Sequence, residues 1–233
     1  MITLESGKKK ITKREWILMS YLILHLTWYM LMEQLNDTTE YMLMYCTFDD
    51  LIPFCKWFFI PYISWFPYMV IPGFYFLFKD DEAFENYLLT LWIGFFFSML
   101  CCTLFVTGQE LRPAVLEGND FLSRLITRIY AFDTNTNVFP SMHVVGAVSV
   151  GVAIFNSKTL KKKVALQIFN VLLSSAIILS TVFMKQHSVL DVFGGLLFEI
   201  PVCILVYKGW PSKLLDKLTK TQRPWLGEKT YND

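Results

Sequence analysis

Five residues of this 233-residue chain have the types and spacing needed to handle a phosphate ester. His187 and Asp191 stand four apart, so on a helix they share a face, and the carboxylate can take the imidazole Nδ1 proton. That fixes the tautomer and leaves Nε2 free as nucleophile or base. His143, within Pro140-Ser141-Met142-His143, supplies a second imidazole. One neutral ring and one protonated ring make a nucleophile and a general acid. Arg112, within Gln109-Glu110-Leu111-Arg112-Pro113, offers a planar fork matched to phosphate oxygens. Ser141 and the N–H groups after it add donors at a helix start, where the dipole favours an anion. Two histidines and an aspartate also suit a divalent metal, which is the competing chemistry. His25 stands alone and reads as structural, while Glu199 reads as a buried polar tie or as part of a proton path.

These residues are far apart in sequence, so helices have to gather them. The chain is 54% hydrophobic and 17% aromatic, with 18% charged residues. A soluble domain carries roughly a quarter charged residues. The apolar surplus excludes an ordinary soluble globule, and it equally excludes a disordered chain. A net charge of +1 gives no electrostatic footprint for nucleic acid. The composition is that of a polytopic membrane protein. Six stretches approach the roughly 20 apolar residues that a membrane helix needs. They are 16–32, 57–78, 84–106, 142–155, 164–184 and 189–207. Pro61, Pro67 and Pro72 fall in the second and Pro53 precedes it, which predicts a kinked helix or an interfacial turn leading into it. The first stretch is too long for a removable leader and no small-residue cleavage site follows it, so it is kept as a span.

Basic residues give the expected orientation. With the N-terminus inside, sixteen of the 21 Lys and Arg fall on the cytoplasmic side, leaving Lys56, Arg112, Arg124, Arg128 and Lys185 outside. The cytoplasmic set begins with Lys8, Lys9, Lys10, Lys13 and Arg14. Both termini are then cytoplasmic, and the loop 107–140 faces out. The clusters around Arg112, His143 and His187 all reach the outer face, because the spans between them return the chain to it. Within the loop, Asn119-Asp120 caps a predicted surface helix, Phe121 to Phe132, with Leu122, Leu125, Ile126 and Ile129 on one side. The stretch from Trp210 to Trp225 reads as amphipathic and lies on the inner leaflet. The expected division is a basic N-terminus 1–15, two N-terminal membrane segments 16–83, a catalytic core 84–207 and a basic amphipathic tail 208–233. Cys46 and Cys55 share a connection and could pair; Cys101, Cys102 and Cys203 read as buried hydrophobes.

Taken together, these motifs resemble the type-2 phosphatidic acid phosphatase superfamily, whose signatures are K-x6-R-P, P-S-G-H and S-R-x5-H-x3-D. Here they read Phe105-x6-Arg112-Pro113, Pro140-Ser141-Met142-His143 and Ser180-Thr181-x5-His187-x3-Asp191. The resemblance implies an all-α fold, a six-transmembrane helix bundle. It implies that His187 forms a phosphohistidine, that Asp191 orients it and that His143 protonates the leaving group. Arg112 and Ser141 would bind phosphate, and no metal or other cofactor is needed. The implied partners are the bilayer and a phospholipid or isoprenoid phosphate. The expected location is the plasma membrane, with the active site at the outer face.

Phe105, Thr181 and Met142 depart from the pattern, and two of the three replace cations. Fewer cations suit a phosphodiester, with one negative charge, better than a monoester with nearly two. The stretches Asp49-Asp50-x-x-Pro53-Phe54 and Pro61-Tyr62-x-x-Trp65 are similar to the inositol phosphorylceramide synthase branch; sphingomyelin synthases are a more distant relation. The expectation is therefore a lipid phosphatase or phosphotransferase leaning to headgroup transfer. Hydrolysis of phosphatidic acid or an isoprenoid pyrophosphate is the alternative. A small transporter would spread polar residues along several spans rather than gather them at one end. No Gly-x-Ser-x-Gly elbow surrounds Ser141, so a serine protease fits poorly.

Overall fold

The structure is a computed structural model and describes residues 11–36, 40–116 and 120–219. Lys8, Lys9, Lys10 and Asn119 lie outside the described residues, as does the tail after Thr219, with Lys220, Arg223, Trp225 and Lys229. The long elements are helices: α1 (Lys13–Asn36), α3 (Phe59–Lys79), α4 (Asp81–Leu104), α6 (Met142–Asn156), α7 (Val164–Phe183) and α8 (Val189–Tyr207). Shorter ones are α2 (Phe48–Leu51), α5 (Phe121–Phe132) and α9 (Trp210–Thr219), with a 3₁₀ turn at Lys56–Phe58. Among the described residues α4, α7 and α8 are long and apolar enough to cross a membrane, and α6 is a shorter apolar helix. The expectation of an all-α chain needs one small correction. Met42–Leu43 (β1) and Thr107–Gly108 (β2) form a two-residue parallel pair. It satisfies backbone groups where two connections leave their helices side by side.

Helix α6 is the hub, packed against α3, α4, α7 and α8. Its sequence explains the position: Gly146, Ala147, Ser149, Gly151 and Ala153 are small, all are buried, and neighbours approach closely. Helix α8 comes within touching distance of the start of α6 because position 195 has no side chain. A Cβ on Gly195 would lie 2.8 Å from Val144 Cβ and 3.0 Å from the Ser141 carbonyl oxygen. Helix α3 runs on through Pro67 and Pro72, and its run-in is the short α2 and the 3₁₀ turn.

Polar ties hold the bundle at three levels. At the end away from the histidines, Arg14 is buried and pairs with Glu85 and Asp216, joining α1, α4 and α9. Asp80 caps α4, accepting from Ala83 N, and also accepts from Ser157 Oγ at 2.7 Å. Midway, Glu199 accepts from Ser149 Oγ at 2.6 Å, and its other oxygen lies against Gly94, so the carboxyl joins α8, α6 and α4. This is the polar-tie reading of Glu199. His25 stacks on Phe95 with centroids 4.6 Å apart, as a structural residue would. The Cys46 and Cys55 thiols are free. The third level is the histidine end itself.

Candidate active site

The connection from α4 to α6 forms a folded cover over the starts of α6 and α8. Asp120 is the N-cap of α5, accepting from Leu122 N and Ser123 N at 3.1 Å, as predicted for a surface helix over 121–132. Ile126 is buried on the predicted apolar side, which packs with Leu122, Leu125 and Ile129 toward Phe59, Tyr62 and Met184. The chain on either side of α5 is zipped together, with Gln109 N donating to Asn135 O at 2.9 Å. Glu33 of α1 accepts from Thr134 Oγ1 at 2.7 Å and from Asn137 Nδ2 at 2.9 Å.

The two predicted imidazoles meet. His143 and His187 lie with ring centroids 5.8 Å apart, edge to face. Asp191 stands behind His187, its Oδ2 3.4 Å from Nδ1. The same Oδ2 accepts the Ser188 N–H at 2.8 Å in a capping box, so the carboxylate is held by the start of α8. Ser141 is the N-cap residue of α6, and its N–H donates to the Asp191 carbonyl at 3.1 Å. The Ser141 hydroxyl and His143 Nε2 are enclosed and make no hydrogen bond.

Arg112 joins the group through Gln186, which is next to His187 and accepts from Nη2. The free fork anticipated from the sequence is otherwise engaged. Nη1 donates to Tyr130 O at 3.0 Å, and Nη2 donates to the carbonyls of Asp133 and Thr134 at 2.7 Å. These oxygens lie at and just past the C-terminus of α5, where unpaired carbonyls attract a cation. Its Nε has no partner. Burial lowers the Arg112 pKa, an effect the Asp133 carboxylate opposes, and a guanidinium remains charged. A cavity of about 250 Å³ opens beside it, lined by Pro113, Leu116, Arg124 and Tyr130 among others.

Several side chains here were not singled out from sequence as parts of the site. Tyr62 and Trp65 each place a ring centroid 4.5 Å from that of His143. They are one helical turn apart on α3, which is the visible signal in Pro61-Tyr62-x-x-Trp65. Tyr62 also donates to Asp133 Oδ2 at 2.8 Å, and Tyr29 donates to Oδ1 at 3.1 Å. Of the other cations expected on this side, Lys56 pairs with Asp120 at 2.8 Å and Lys185 Nζ donates to Asp49 O at 2.7 Å. Arg124 and Arg128 are exposed. Phe105 is 58% exposed, and the buried Thr181 turns its hydroxyl onto Ile178 O. Among the described residues no three His, Cys, Asp or Glu side chains gather as a metal site.

A sequence model of the PAP2 superfamily matches residues 85–214, more than half of the chain. The chain belongs to the PAP2 superfamily. It is accordingly an integral, multi-pass membrane enzyme, a lipid phosphatase or phosphotransferase acting on phosphate-containing lipids. The match takes in Arg112, Ser141, His143, His187 and Asp191, and leaves out Tyr29, Tyr62 and Trp65 and the supports from Glu33, Asp49, Lys56 and Phe59. Comparison with curated proteins and with solved structures gave no match for this PAP2 chain.

Proposed function

We propose that the protein transfers a phospho-headgroup from a phosphodiester lipid to an alcohol through a phosphohistidine on His187. The observation that carries this is the approach of the His143 and His187 rings to 5.8 Å, with Asp191 behind one and free Ser141 and His143 donor atoms beside them. In the first half-reaction, His187 Nε2 attacks phosphorus and the P–O bond to the leaving alcohol breaks. His143, as imidazolium, gives its proton to the departing oxygen, while Asp191 holds the His187 Nδ1 proton. Arg112 and the start of α6, with the Ser141 hydroxyl, hold the non-bridging oxygens. In the second, neutral His143 takes the proton of the acceptor hydroxyl, whose oxygen attacks phosphorus and releases His187.

Support for a diester, and so for kinship with the inositol phosphorylceramide synthase branch, lies in the cations. The two signature cations are replaced by Phe105 and Thr181, and Lys185 is bonded to a backbone carbonyl. We further assign six spans with both termini cytoplasmic and this site at the outer face of the plasma membrane, on the distribution of Lys and Arg. The catalytic unit is 84–207, preceded by two membrane segments over 16–83; 1–15 and 208–233 are its cytoplasmic ends.

The test is a substrate panel on the purified full chain, with His187→Ala beside it. Labelled phosphatidylinositol, phosphatidic acid and an isoprenoid pyrophosphate are each supplied with and without an acceptor lipid alcohol. Headgroup appearing on the acceptor, lost in His187→Ala, is the expected result. Inorganic phosphate released from the monoesters alone would overturn the diester reading in favour of a phosphatase. Turnover unchanged in His187→Ala would overturn the mechanism.

A further inference from the structure

The turn that carries His187 is held by a segment from the other end of the chain. Cys55 N donates to Phe183 O at 3.0 Å, and Lys185 Nζ donates to Asp49 O at 2.7 Å. Lys185 has φ 53°, so the turn is left-handed at a residue with a side chain, a conformation that outside contacts must hold. On the far side of His187, the Asp49 carboxylate accepts from Ser188 Oγ at 2.6 Å and from Val189 N at 2.8 Å. Its third donor is Cys46 N at 2.8 Å, just before its own short helix α2. Asp49 is 2% exposed and lies outside the residues matched to the superfamily.

We propose that Asp49 is a positioning residue for His187, holding the first turn of α8 so that Asp191 faces the imidazole. This rests on the reading of His187 as the nucleophile. Val189 N is one of the N–H groups at a helix start that no helical carbonyl satisfies, and a carboxylate there also complements the dipole. Ser188 is the hinge of the arrangement. Its hydroxyl donates to Asp49 and accepts from Leu190 N at 3.2 Å, while its N–H donates to Asp191 Oδ2. Asp49 therefore sets Ser188, Ser188 sets the Asp191 carboxylate, and that carboxylate stands 3.4 Å from His187 Nδ1. Only a carboxylate serves all three donors: an asparagine has a single acceptor oxygen and would turn an NH₂ toward a donor.

The experiment compares Asp49→Ala, Asp49→Asn, Ser188→Ala and the double variant Asp49→Ala/Ser188→Ala, with His187→Ala alongside. Asp50→Ala is the control: the same segment and charge, but an exposed side chain that accepts from Tyr45 OH. Full-length proteins are assayed in mixed micelles on labelled phosphatidylinositol and phosphatidic acid, following kcat, KM, Tm and phosphoenzyme formation. A misplacement on the order of 1 Å at a reacting group costs up to ~100-fold. The expected kcat losses are on that scale for Asp49→Ala and about 10-fold for Asp49→Asn and Ser188→Ala, with KM within about twofold and phosphoenzyme formation slowed in step. The double variant falls no further than Asp49→Ala, because the two groups act as one unit, and Asp50→Ala matches the wild type. Folded Asp49→Ala with wild-type kcat, or losses that multiply in the double variant, would overturn the assignment. Should Asp49→Ala fail to fold, Ser188→Ala decides, and wild-type kinetics there overturn it. An inactive His187→Ala beside a fully active Asp49→Ala removes this inference alone; an active His187→Ala removes the mechanism with it.

Discussion

Tyr62→Phe removes one oxygen atom and separates two tasks that Tyr62 performs. Its ring forms a wall of His143, with centroids 4.5 Å apart, and its hydroxyl donates to Asp133 Oδ2 at 2.8 Å. The Asp133 carbonyl in turn accepts from Arg112 Nη2 at 2.7 Å. The hydroxyl thus connects the wall of the proposed acid to the stretch that holds the proposed phosphate ligand. A hydrogen bond to a charged group contributes about 1.5–3 kcal/mol net. Tyr29, donating to the other oxygen at 3.1 Å, keeps part of Asp133 in place, so the loss belongs at the lower end. Borne wholly by the transition state, about 1.4 kcal/mol is a tenfold fall in kcat. Tyr62→Leu also removes the ring stack, worth about 0.5–1.5 kcal/mol, and costs a further 2- to 10-fold. The assay is kcat on the best lipid of the panel for both variants, with thermal unfolding in the same detergent. The graded order wild type, Tyr62→Phe, Tyr62→Leu is expected. Equal loss in both variants would mean the ring contributes nothing, and wild-type kcat in both would refute the positioning of His143 by α3.

Other perturbations probe the same site from different sides. In Gly146→Ala the new Cβ would meet Trp65 Nε1 at 2.6 Å and Met69 Sδ at 2.8 Å, forcing the second wall of His143 to shift. Overpacking of this kind costs about 1–3 kcal/mol, so a lower Tm and a several-fold lower kcat are expected; wild-type values for both would show slack around Trp65. Turnover is expected to persist in EDTA, because the proposed covalent step uses imidazole and no metal; full loss restored by a divalent ion would favour the metal reading of His143, His187 and Asp191. Phe105→Lys returns a signature cation to an exposed position, and the ratio of monoester to diester turnover is expected to rise about tenfold. An unchanged ratio would detach that position from substrate choice.

What the sequence conveyed about this molecule is what a local pattern can carry. The Asp120 cap and the apolar side of α5 were readable because both lie within a dozen residues. The apolar stretch 189–207 coincides with α8, whose start the capping box of Ser188 and Asp191 fixes. Helix α4 begins at Asp81, earlier than hydropathy indicates, because Asp80 caps it with charged residues in the first turn. Helix α3, expected as a kinked helix or with an interfacial turn leading into it, runs unbroken through Pro67 and Pro72 behind the short α2 and the 3₁₀ turn, since packing against α4, α6 and α7 outweighs two lost backbone bonds. At the site, Asp191 does stand 3.4 Å from His187, but His187 lies in the turn before α8 and not on a helix face shared with Asp191; the capping box at the start of α8 brings the two together. Nothing local revealed that the Arg112 fork would be taken by carbonyls at the end of α5, that Tyr62 would reach Asp133, or that Asp49 would hold Ser188. Those are contacts between distant segments, and the composition of one segment says little about which partner it meets.

The electrostatics around the two histidines bears directly on the substrate. Helices α6 and α8 both start here and touch, Ser141 N on Asp191 O. A helix start carries roughly half a positive charge. At α8 that half charge is already met by two carboxylates, Asp191 on Ser188 N and Asp49 on Val189 N. At α6 the Ser141 hydroxyl faces the site with no partner. Among the described residues the cation bonded to the histidine turn is Arg112, whose two Nη atoms are bonded and whose Nε is not, while Arg124 lines the adjoining cavity. Lys185 is the nearest candidate to supply more. Turning it inward would break its bond to Asp49 O and loosen a left-handed turn next to His187. Among the described residues, the positive charge set beside the histidines is thus about one guanidinium, with its Nη atoms engaged, and one helix start, against the Asp191 carboxylate. On the diester reading proposed above, that balance meets one negative charge on phosphorus, which a phosphodiester in transit between two alcohols keeps throughout.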